Sequence, residues 1–139
     1  MKRFKTIEPL SNFRIIDECR KLKIENFKDC LMRDELQNIS PSKNQCMIIN
    51  IDCNPNVGTH WTSLFIRDGL CFYFDPFGVK PTLEVEDYCK QFHERYYSSY
   101  PIQNINEVIC GHYCIYVIYK LNNKVDFEDI LNELYNLKK

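Results

Sequence analysis

Cys110 stands where a polar, loop-like approach from Gln103 to Ile109 meets Cys110-Gly111 and then an apolar run of helix length, Tyr113 to Tyr119. If that run is a buried helix, the thiol lies in its first turn, where unpaired backbone N–H groups carry partial positive charge. A thiolate is stabilised at such a place and serves as a nucleophile. Thiol catalysis also needs a base, an acid that orients the base, and donors for a developing oxyanion. His60 and Asp75 stand on either side of an Asp68-Gly69 turn, so two strands joined there bring an imidazole and a carboxylate near each other. Gln103 precedes Cys110 by a spacer of six residues, 104–109. Its amide and the Cys110 backbone N–H can converge on one oxyanion. Singly, each residue has a structural role open to it: core thiol, strand-end histidine, turn-forming aspartate, solvated glutamine. Together they have the types that nucleophilic catalysis requires.

The elements that must position these residues are legible in part. Ser11 or Asn12 can cap a first helix carrying Phe13, Ile16, Cys19 and Leu22 at helical spacing. Residues 26–38 are polar with isolated apolar anchors, as in a short helix or an ordered loop. Residues 46–51 and 59–66 have the β-branched, apolar character of strands. Asp68-Gly69 joins the second of these to a strand over 70–75, which Pro76 ends. Leu83, Val85, Tyr88, Phe92 and Tyr96 predict a helix over 84–97, and residues 101–103 read as a short strand or an extended link. The apolar run predicts a helix over 110–121. Asp126 can cap a last helix bearing Ile130, Leu131, Leu134 and Leu137. This order predicts an α+β fold, a small, mostly antiparallel sheet flanked by helices, in a single domain over 1–139.

Net charge is −1, which excludes a global basic field for nucleic acid. No apolar run reaches membrane-spanning length, and the first residues lack the apolar core of a secretion signal. The eight cysteines are scattered singly, so most read as reduced core residues rather than a disulfide framework. A competing reading takes Cys110, His112 and Cys114 as metal ligands, with Cys71, Cys89, His60 and His93 to complete a set. A helix turns residue 112 nearly opposite to 110 and 114, and the spacing fits no familiar zinc pattern.

The chain order His60, Asp75, Gln103, Cys110 resembles that of the adenain and ubiquitin-like-protease group of cysteine proteases, clan CE. It differs from papain, where the cysteine comes first. Gly58-Thr59-His60-Trp61, Phe74-Asp75-Pro76-Phe77-Gly78, and Gln103 with Cys110-Gly111 and Cys114 look most like adenain, the adenovirus-type maturation protease. The likeness covers roughly residues 45–121. It implies a papain-like, adenain-like cysteine protease fold. It also implies Cys110 as nucleophile, His60 as base, Asp75 as orienting acid and Gln103 in the oxyanion hole. It further implies a groove for small residues, often Gly, viral capsid precursors as substrates, and a virion or host-cell setting, as in a virus, virophage or Polinton-type element. No cofactor or metal is expected. The activating peptide and DNA of adenain do not carry over, because the near-neutral charge and the cysteine pattern do not match them. Adenain uses Glu where Asp75 stands, whereas deconjugases of the group use Asp, so the role survives. Deconjugation of a ubiquitin-like modifier is the alternative activity within the group. Cys114, one turn after Cys110, is expected to be buried core.

Overall fold

The computed structural model describes residues 11–51, 60–102 and 110–137. Five strands form one sheet in sequence order: β1 (Phe27–Met32), β2 (Gln45–Asn50), β3 (Trp61–Arg67), β4 (Leu70–Phe74) and β5 (Glu94–Tyr97). The central pairings β2–β3 and β3–β4 are antiparallel, and the two edge strands run parallel to their neighbours. Four α-helices, α1 (Asn12–Lys21), α2 (Leu83–Cys89), α3 (Cys110–Asn122) and α4 (Phe127–Leu137), flank the sheet, with a 3₁₀ helix at Arg33–Asn38.

The sheet divides the interior into two cores. Successive β2 residues point to opposite faces. Ile48 therefore packs with α1, α3 and α4, while Met47 and Ile49 pack with α2 and the 3₁₀ helix. α3 is the apolar helix of the first core, with Cys114, Val117 and Ile118 wholly buried. Such a helix needs cover on most sides, and β3, α1 and α4 supply it.

Asp68 and Gly69 both have positive φ, 51° and 81°. That is the requirement of a type I′ hairpin turn, and it sets Arg67 opposite Leu70 and Ser63 opposite Phe74. Ser11 caps α1 by accepting from the Arg14 N–H at 3.2 Å.

The sequence expectation differs from the structure in four places. The sheet is mixed, with two antiparallel and two parallel pairings, rather than mostly antiparallel. Residues 27–32 form β1, the parallel edge strand, not a helix or loop. The expected helix over 84–97 stops at Cys89, and Glu94–Tyr97 is the other parallel edge. β1 buries only Cys30 and Leu31 and β5 buries no residue, because an edge strand covers few side chains. In α1 the buried pair is Ile15 and Cys19, one turn apart, and Phe13 is 78% exposed. Of the residues that the spacing suggested, Cys19 is buried and Ile16 and Leu22 pack partly buried against the core, whereas Phe13 does not and Ile15 is buried instead.

Candidate active site

The hairpin register explains how His60 and Asp75 meet. The pairing ends at Ser63–Phe74, one residue before Asp75, and β3 begins at Trp61, one residue after His60, so both lie just past the ends of neighbouring strands. That places the carboxylate within reach of the imidazole. His60 Nε2 and Asp75 Oδ1 are 2.8 Å apart. Phe77 stacks on the imidazole with ring centroids 4.4 Å apart and planes 15° apart.

Asp75 is held from several sides. Its Oδ1 also accepts from the Phe77 N–H at 2.8 Å. Its N–H donates to Ser98 Oγ at 3.0 Å, and its carbonyl accepts from the Ser98 hydroxyl at 3.3 Å and the Gly78 N–H at 2.8 Å. The side chain is 1% exposed and that of His60 13%. So buried a carboxylate stays in place only with such donors around it.

Burial pushes the His60 imidazolium down. Hydrogen bonds to Asp75 and Cys110, and the charges of both, outweigh that and raise its pKa from 6.5 to about 9. With Nε2 committed to Asp75, the hydrogen bond to the thiol falls to Nδ1. The tautomer is thereby set by the acid, as in any acid–imidazole–nucleophile relay.

Cys110 opens α3 and is 4% exposed. Its sulfur accepts from the Trp61 backbone N–H at 3.3 Å. One turn on, the Cys114 thiol donates to the Trp61 carbonyl at 3.2 Å. The sulfur at this helix start thus faces a backbone N–H and the His60 imidazole. The seven described cysteines are all buried and none is in a disulfide, and Cys53 lies outside the described residues. Burial pushes the thiol of Cys19 up to about 12, and those of Cys30, Cys46 and Cys114 upward too, so these stay protonated.

The structure thus brings together His60, Asp75 and Cys110. Gln103 lies outside the described residues, but the link that leads to it does not. The Pro76 carbonyl accepts from the Ile102 N–H at 2.8 Å, and Ile102 is 2% exposed. Gly78, at φ 70°, lies so close to the Tyr100 and Pro101 backbone that a Cβ would stand 2.4 Å from the Tyr100 carbonyl carbon. The residue before Gln103 is therefore fastened to the turn that carries Asp75.

Three contributors to the site escaped the sequence reading: the Phe77 ring, Ser98 and the peptide groups of Trp61. Phe77 lies in the turn that Pro76 begins, so its stack on His60 shows only in the fold. Ser98 had no sequence signal either, because its place depends on the parallel strand β5. Among the described residues, no three His, Cys, Asp or Glu side chains are grouped to hold a metal ion. No helix among them is long and apolar enough to cross a membrane.

No protein-family model matches the chain, and no curated protein matches its sequence. Solved structures do match its fold. The crystal structure of the ASFV pS273R protease is 18% identical with a TM-score of 0.65, covering 94% of this chain and 66% of that one. The Se-Met form of the same protease is 16% identical with a TM-score of 0.66 and the same coverage, 94% and 66%. The chain therefore spans about two thirds of that protease's length. The likeness bears out the expected fold class, α+β and papain-like, with a small sheet flanked by helices.

Proposed function

We propose that this protein is a cysteine endopeptidase of the clan CE type, with Cys110 as nucleophile, His60 as base, Asp75 as orienting acid and Gln103 as an oxyanion donor. The observation that carries the reading is the Cys110 sulfur at the start of a buried helix, hydrogen-bonded to an imidazole that Asp75 holds at 2.8 Å. The shared fold with a protease of viral origin supports the reaction class. The adenain-like motifs support viral capsid precursors as substrates, cut at small, Gly-containing sites in the virion or host cell.

In this mechanism His60 takes the Cys110 proton, and the sulfur attacks the carbonyl carbon of the scissile amide. The C=O π electrons move to oxygen, where the Cys110 N–H and the Gln103 amide meet the charge. Collapse breaks the C–N bond, and the imidazolium protonates the leaving amine. The thioester left on Cys110 is attacked by a water that gives its proton to His60. Collapse then expels the thiolate and releases the carboxylic product.

The test is incubation of purified protein with candidate capsid precursors and with ubiquitin-like conjugates, followed by mass spectrometry of the new termini. Capsid precursors cut at small-residue sites, and left intact by Cys110→Ala, are the expected result. Cleavage by Cys110→Ala at the native rate would sink the assignment. Cleavage of conjugates alone would transfer the site to deconjugation.

A further inference from the structure

Antiparallel pairing gives each residue's N–H and C=O to one side of its strand. His60 faces β2, where its carbonyl accepts from the Ile51 N–H at 3.2 Å. The Trp61 peptide groups therefore face the β4 side, past the last ladder pair Ser63–Phe74, where Asp75 and Pro76 leave the strand. Proline has no N–H to offer the Trp61 carbonyl. The Pro76 carbonyl, for its part, accepts from Ile102. The end of β3 turns to α3 instead. The Trp61 N–H meets the Cys110 sulfur at 3.3 Å, and the Trp61 carbonyl meets the Cys114 thiol at 3.2 Å. Residues four apart share a helix face, so both sulfurs reach one residue.

We infer that Cys114 is a positioning residue for the nucleophile: its thiol holds the Trp61 carbonyl and so aims the Trp61 N–H at the Cys110 sulfur. The inference rests on Cys110 being the nucleophile. An N–H donated to a thiolate is charge-assisted, and its worth depends on direction. Trp61, Cys110 and Cys114 are 6%, 4% and 0% exposed, so water does not readily replace a lost donor. Burial pushes the Cys114 thiol upward, which keeps its proton available for donation.

A packing role and a positioning role make opposite demands on Cys114. Packing tolerates valine and resists a buried serine hydroxyl, whereas positioning requires a donor. The experiment measures the alkylation rate of Cys110 by iodoacetamide near neutral pH, read by peptide mass spectrometry, with thermal unfolding alongside. Cys114→Ala and Cys114→Val should each slow alkylation about tenfold, the loss expected of one charge-assisted hydrogen bond. Cys114→Ser should restore the rate to within about twofold, because a hydroxyl also donates to a carbonyl. Cys46→Ala, at an equally buried thiol, controls for the cavity and should leave the rate unchanged. On a peptide substrate the Ala and Val variants should lose kcat with KM held. Native alkylation in Cys114→Val, or Cys114→Ser as slow as Cys114→Val, would overturn the inference. Failure of the unaltered protein to cleave any peptide would instead overturn the peptidase reading, and the alkylation comparison would still decide the role of Cys114.

Discussion

His60 is held twice, by Asp75 through its ring nitrogen and by Phe77 across its ring face. Its raised pKa ties stability to pH with a definite sign. A group whose pKa rises on folding stabilises the fold fully below its unfolded value, here 6.5, and loses that contribution as pH climbs through about 9. Thermal unfolding should therefore shift to lower temperature across this alkaline window, and less so in His60→Ala. The alkaline limb of a pH–rate profile should fall in the same region as the His60 imidazolium is lost. A limb unchanged by His60→Ala would refute the pairing. Phe77→Leu should lower kcat about tenfold by freeing the imidazole to rotate, while Phe77→Tyr, which keeps a stacking face, should restore most of it. Equal loss in both variants would assign the effect to packing.

At the scale of elements, the Asp75–Gly78 turn and the link over 98–102 act as one unit. Ser98 latches onto Asp75, Ile102 onto Pro76, and the Tyr100 hydroxyl donates to Asn132 Oδ1 on α4 at 3.2 Å. Gly78 is the point where the two backbones touch, at a φ that side chains rarely adopt. Gly78→Ala should destabilise by roughly 1–3 kcal/mol by denaturant titration and should slow catalysis beyond that, since Asp75 moves with the turn. A stable, fully active Gly78→Ala would show the close approach to be relaxed in solution. Gln103, next after this link, should act on the transition state alone. Gln103→Ala should cost about 10²–10³ in kcat with KM and thermal stability little changed. Native kcat would remove it from the mechanism, and a large stability loss would return it to a structural role.

At the scale of the whole molecule, one sheet serves both cores, and the site draws on β3, the β4 exit and α3. We expect a single cooperative unit. Met47→Ala, in one core, and Ile48→Ala, in the other, should each lower the same single unfolding transition by about 2–5 kcal/mol. Two separated transitions in either variant would mean two units. The local pieces were legible in the chain alone: the type I′ turn at Asp68-Gly69, the strand end near Pro76, the apolar helix starting at Cys110, and the residue types a thiol relay requires. These follow from dihedral preference, a missing N–H and hydrophobic run length, which act within a few residues. The edge strands β1 and β5, and the place of Ile15 in the buried face of α1, depend on the assembled fold, because parallel pairing and burial need distant partners. The same holds inside the site. Ser98 reaches Asp75 because β5 lies beside β4, and the Trp61 peptide faces two sulfurs because α3 packs where the ladder has run out.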